Sequence, residues 1–162
     1  MTQHEYNDTV MTCSDDLYRF VFKSIKNVED ARDIVQHAFE ILWVKKDEVE
    51  YEKVKSYLFT IGYRKMIDEL RRKKHINFKE ELPEKLGGTT EIKQTGLKKV
   101  LHNALDTLPD IQKQLVILKD YEGYSYEEMA KITGLQDSQV KVYLFRARTS
   151  LKKSLISIER NM

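Results

Sequence analysis

The sequence predicts an all-α chain: two small helical domains, the first of three helices and the second of four with a helix-turn-helix, joined by a flexible linker. Three observations predict it. Apolar side chains recur three and four residues apart through most of the chain, the spacing that lines one side of an α-helix. Only 6 glycines and 2 prolines occur in 162 residues, so tight turns are few. The breakers gather in one stretch, HINFKEELPEKLGGTTEIKQTG (residues 75–96), which holds Pro83, Gly87, Gly88 and Gly96 and little periodicity. A linker over 75–97 leaves residues 1–74 and 98–162, each small but long enough for a helical bundle. No internal repeat or low-complexity tract is present.

In the first domain, Tyr6, Val10, Cys13, Leu17, Phe20 and Val21 predict a helix from about 5 to 26. Asn27 is a cap for the second, with Asp30 three residues on. There Val28, Ala31, Val35, Ala38 and Leu42 form an apolar stripe, and Asp33, Gln36, His37 and Glu40 lie on another side. The charged stretch KKDEVEYEKVK (residues 45–55) interrupts the pattern. The third helix, about 56–74, carries Tyr57, Phe59 and Tyr63 and ends in Arg71, Arg72, Lys73 and Lys74.

In the second domain, Val100, Leu101, Ala104, Leu105 and Leu108 mark the first helix. Pro109 suits the first turn of the next, which carries Ile111, Leu115, Val116 and Leu118 and ends at Gly123. Ser125 caps a short helix in a box with Glu128, and Gly134 stops it. A final helix runs from about 137 to 155.

Composition excludes several classes. There are 28 basic and 26 acidic side chains, a net charge of +2, which argues against binding nucleic acid by bulk charge. The balance hides segregation, however. Residues 98–162 hold 11 basic and 8 acidic side chains, and five of those basics lie between 141 and 153. The lone Cys13 rules out an intramolecular disulfide and a multi-cysteine zinc site, which makes the cytoplasm the expected compartment. The polar start MTQHEYNDTV is unlike a signal peptide, and no apolar run nears the ~20 residues that span a bilayer, so no membrane insertion is expected.

Three constellations carry chemistry. The first is SYEEMAKITGLQDSQVKVYLFRAR (residues 125–148): a short capped helix, a glycine turn and a longer helix, sealed by Met129, Ile132, Leu135, Val140 and Leu144. That is the helix-turn-helix pattern, whose second helix enters the major groove. Asp137, Ser138, Gln139 and Val142 are placed to face base edges, and Gln139 is a candidate adenine reader. Lys141, Arg146, Arg148, Lys152 and Lys153 would neutralise phosphates, with no acid between 138 and 158. The second is the third helix, where Tyr57, Phe59, Tyr63, Arg64, Lys65, Arg71, Arg72 and Lys73 mix ring faces with cations, as a single-strand site does. The rival reading is core aromatics and a solvated basic helix end. The third is the polar side Asp33, Gln36, His37 and Glu40, bordered by Phe39 and Trp43, which suits a partner surface. As a metal site it lacks a second cluster to complete a shell, so no metal or other cofactor is expected. No nucleophile–base pair, Walker loop or dinucleotide fingerprint occurs, and no enzymatic activity is expected.

These residues resemble the bacterial RNA polymerase sigma factors of the sigma-70 family, in the extracytoplasmic-function group. VEDARDIVQHAFEILW (28–43) is similar to the family's second conserved region, YLFTIGYRKMIDELRR (57–72) to the segment that follows it, and residues 104–151 to the fourth conserved region. The resemblance implies a factor that binds core RNA polymerase, through its beta-prime and beta subunits, and directs initiation at promoter DNA. Asp33, Gln36, Phe39, Glu40 and Trp43 would meet the clamp helices of beta-prime. The loop 46–55 and the third helix would recognise and open the −10 element through Tyr57, Tyr63, Arg64, Lys65, Arg71 and Arg72, with a flipped base held near the loop. The helix-turn-helix would read the −35 element through Asp137, Ser138, Gln139, Lys141, Val142, Tyr143, Arg146 and Arg148. The linker would thread the polymerase toward the RNA exit path. An anti-sigma factor is a further implied partner. The family often has Arg-Asn where this chain has Tyr63-Arg64, near the melting surface. In the recognition helix, Gln136, Gln139 and Tyr143 stand where Ser, Thr and Arg are common, and that departure implies an altered −35 preference. The competing reading is a stand-alone helix-turn-helix regulator, which has no need of 28–43 followed by an aromatic basic helix. A third, a metal-dependent nuclease using Asp33, His37 and Glu40, predicts cleavage that stops with chelator.

Overall fold

The computed structural model describes residues 1–80 and 96–160, and among them the regular structure is helical with no strand. The chain divides into two compact units, one built by α1–α3 and the other by α4–α7.

In the first unit, α1 (Gln3–Ile25) opens on a capping box that sequence reading missed: Thr2 Oγ1 accepts the Glu5 N–H at 3.1 Å, and Glu5 accepts the Thr2 N–H at 3.0 Å. It closes at Lys26, in the left-handed region with φ 60°. The next residue, Asn27, starts α2 (Val28–Lys45) by accepting the Asp30 N–H at 3.0 Å, as predicted. A 3₁₀ turn, Tyr51–Lys53, leads into α3 (Val54–Glu80). All three helices pack on one another around Leu17, Phe20, Val21, Ile34, Leu42, Leu58, Phe59 and Met66. The Phe20 and Phe59 rings stack at 5.3 Å. A Cβ at Gly62 would stand 2.9 Å from Leu17 Cδ1, so α1 and α3 approach each other at a glycine.

Two expectations change here. The core stripe of α2 is Ala31, Ile34, Ala38, Phe39 and Leu42, while Val28 and Val35 are half-buried. The third helix also runs further than expected. No breaker occurs between Lys74 and Pro83, so α3 continues through residues 75–80, and α4 opens at Gly96. Residues 81–95 of the predicted linker lie outside the described residues.

In the second unit, α4 (Gly96–Asp106) is followed by Pro109, the residue before α5 (Asp110–Val116). Helix α5 runs on into a π-helical turn, Ile117–Tyr121. Residues 113–118 are buried without a gap, so this helix is covered all round rather than along a stripe. Gly123, with φ 75°, ends it. Helix α6 (Tyr126–Thr133) and α7 (Asp137–Arg160) complete the unit, and α7 packs against α4 and α5.

Candidate nucleic-acid and partner interfaces

The helix-turn-helix is set by its caps. Ser125 Oγ accepts the Glu128 N–H at 3.1 Å and donates to the Glu128 carboxylate at 3.0 Å. The far end of α6 closes at Gly134, φ 78°, whose N–H reaches the Ala130 carbonyl at 2.8 Å. A left-handed residue there turns the chain in three residues into α7. Met129, Ile132, Val140, Leu144 and Ala147 are all buried in this unit.

That packing leaves one side of α7 open. Asp137, Ser138, Gln139, Lys141, Val142 and Arg146 are exposed, and Tyr143 is half-buried. Phe145 is 71% exposed on the same side, one turn beyond Val142, and sequence reading did not single it out. Its signal was present: an aromatic three residues after an exposed Val on a basic helix. Two predicted base or phosphate contacts have partners within the unit. Gln139 Oε1 accepts the Gln136 N–H at 2.9 Å. Arg148 donates to Asp120 from Nη2 at 2.5 Å and from Nε at 3.4 Å. The hydrogen bond to Asp120 raises the Arg148 pKa further, and the Tyr126 side chain adds a smaller hold. Tyr126 also has Lys119 Nζ at 4.9 Å and Lys141 Nζ at 5.7 Å from its ring centroid, so cations of the π-helical turn and of α7 gather round it.

On α3 the predicted residues separate into two groups. Arg64, Arg71 and Arg72 are exposed, and Tyr57 and Lys65 half-buried. Arg72 pairs with Glu69 at 3.0 Å, and Lys73 pairs with Asp30 of α2. Tyr63, by contrast, is buried, and burial raises its pKa. Its ring shapes the surface from beneath and offers no free face for a base.

On α2, Asp33, Gln36 and Glu40 share one exposed side, and Gln36 Nε2 donates to Glu40 Oε1 at 3.1 Å. Trp43, 43% exposed, continues it, with Val44 beside it at 81%. Phe39 is buried and supports this side from within. The sequence placed Tyr6 on the apolar stripe of the first helix and gave no sign that it reaches this side of α2. Its hydroxyl donates to the Phe39 carbonyl at 3.0 Å, and its ring meets Trp43 edge-on at 4.9 Å. Lys46 Nζ lies 3.8 Å from the Trp43 ring centroid. Trp43 is therefore held in place by two neighbours while its outer surface stays open. Among the described residues no three metal-ligating side chains converge, those of Asp33, His37 and Glu40 included. None of the described helices is long and apolar enough to cross a membrane.

Two family models match the chain: sigma-70 region 2 over residues 9–76 and sigma-70 region 4 over residues 98–151. The chain belongs to the sigma-70 family of RNA polymerase sigma factors. Within it, the chain falls in the extracytoplasmic-function group, whose members direct promoter-specific initiation of transcription. It is similar to RNA polymerase sigma factor SigV of Bacillus subtilis, 37% identical over 134 residues, covering 82% of this chain and 80% of that one. It is also similar to the extracytoplasmic-function sigma factor SigM of the same organism, 28% identical over 141 residues, covering 85% and 86%. The fold matches the sigma factor RpoE of Bartonella quintana, solved in complex with the anti-sigma factor NepR, with a TM-score of 0.78 at 24% identity over 93% of this chain and 96% of that one.

Proposed function

We propose that the two units divide promoter recognition, and that the first also holds the polymerase. Helix α7 would lie in the major groove of the −35 element, with Ser138, Gln139 and Val142 toward base edges and Lys141 and Arg146 toward phosphates. The exposed cations of α3 and the loop before it would handle the −10 element. The α2 side formed by Asp33, Gln36, Glu40 and Trp43 would meet core RNA polymerase, through the beta-prime subunit. Two modest contacts on one chain gain from effective concentration once the polymerase fixes their spacing. The polymerase would supply the chemistry, and the protein would work in the cytoplasm. An anti-sigma factor is the natural inhibitor, because the relative from Bartonella quintana was solved with one.

The observation that carries the reading is the open side of α7, basic and free of acid from 138 to 158, set behind a capped turn. The alternative, a stand-alone regulator, leaves the exposed Trp43 side without a purpose. Run-off transcription tests the two. Added to core polymerase, the protein should start transcripts at a subset of promoters. Transcription that stays at the level of core polymerase alone, with no binding to it, overturns the reading.

A further inference from the structure

Resting on the reading of α7 as the promoter-facing helix, we propose that Gln139 reads its base as a hydrogen-bond donor only, and so selects a keto base (guanine or thymine) at one position of the upstream element. Gln136 is the cap residue of α7: its carbonyl accepts the Val140 N–H at 3.0 Å. Its own N–H points at Gln139 Oε1, 2.9 Å away. A backbone N–H can be accepted only by the amide oxygen, so the partner fixes which way the amide faces. Oε1 turns back to the helix start, as in a capping box, and Nε2 is the atom left to face outward. Gln139 is exposed, with Ser138 and Val142 exposed beside it.

This arrangement changes what a glutamine can read. Pairing with adenine uses both amide atoms, the oxygen accepting from N6 and the nitrogen donating to N7. Here the Gln136 N–H takes one lone pair of the oxygen and holds it toward the helix start, and swinging the amide so that both its atoms meet adenine would give up the cap. The outward NH₂ finds two acceptors on guanine, N7 and O6, and one on thymine, O4. Adenine sets a donor beside its N7, and cytosine shows only the N4 donor. Keto bases are therefore favoured over amino bases, and cytosine is rejected most strongly.

Gln139→Glu separates the cap from the reading. Glutamate at this position keeps an oxygen for the Gln136 N–H and suits a helix start. Its outward atom becomes an acceptor. The test uses the full chain with core polymerase, selecting active promoters from a library randomised across the upstream element. Wild type should enrich guanine or thymine over cytosine about ten-fold at one position, the worth of one good hydrogen bond. Gln139→Glu should enrich adenine or cytosine at that same position with an unchanged melting temperature, and Gln139→Ala should lose preference there. Adenine enrichment by wild type, or an unaltered preference in Gln139→Glu, overturns the proposal. A wild-type library with no upstream preference at all overturns the reading of α7, and this assignment with it.

Discussion

Replacing Arg148 with Ala separates two roles that the sequence cannot tell apart. A basic residue near the middle of α7 reads as a phosphate contact. In the structure it is tied to Asp120, 28 residues earlier, by two hydrogen bonds of 2.5 and 3.4 Å. The side chains are 45% and 44% exposed, so solvent screens the pair, and it is worth about 0.5–1 kcal/mol rather than the several kcal/mol of a buried one. In a unit of this size that predicts a fall in melting temperature of ~2–8 °C. A double-mutant cycle over Asp120→Ala, Arg148→Ala and the pair should return a coupling of about that 0.5–1 kcal/mol. Promoter affinity of the assembled polymerase gives the second readout. A lost phosphate contact lowers the slope of log affinity against log salt by ~0.9. Arg146→Ala should show that drop, and Arg148→Ala should not. No coupling to Asp120, together with a salt-slope drop of ~0.9 for Arg148→Ala, would make Arg148 a phosphate contact instead of a tie to Asp120.

Three further outcomes follow from the geometry. Asp33→Ala with Gln36→Ala should weaken core polymerase binding and leave the melting profile intact, as measured by titration of labelled protein. Unchanged affinity would sink the choice of side. Ser125→Ala removes the oxygen that accepts the Glu128 N–H and should cost the second unit about 1 kcal/mol in urea unfolding. Tyr63 is buried with its pKa raised from 10.0, so its contribution to stability is complete below pH 10 and is lost as pH rises through the higher folded value. Tyr63→Phe should flatten that alkaline loss in a pH series of melting temperatures; an identical loss in both proteins would contradict it.

What the sequence revealed was local. Asn27, Ser125 and Gly134 act at the positions where their chemistry placed them, because a cap is decided within three or four residues. The seal of the helix-turn-helix was legible from apolar spacing for the same reason. Phe39 misled because it borders the polar side of α2 in sequence, and only packing decides which way a boundary residue turns. Tyr63 misled because aromatics serve cores and base stacking alike, and burial is a tertiary property. The partners Tyr6 with Trp43 and Asp120 with Arg148 are 37 and 28 residues apart, beyond any periodic signal. The π-helical turn starts at the end of a fully buried run, 113–118, where the helical stripe that reveals register vanishes. The extension of α3 to Glu80 was available in hindsight, since Pro83 is the first residue past Lys74 unable to continue it.

Promoter recognition shared between two units of one chain on the polymerase determines which DNA is covered and when. A nuclease footprint on an active promoter tests it most directly, run with core polymerase alone, the protein alone and both together. Protection of two separate promoter elements is expected only when both are present, with the upstream one lost on Lys141→Ala with Arg146→Ala. Sequence-specific protection by the protein alone, or a single protected element with the polymerase, would contradict it.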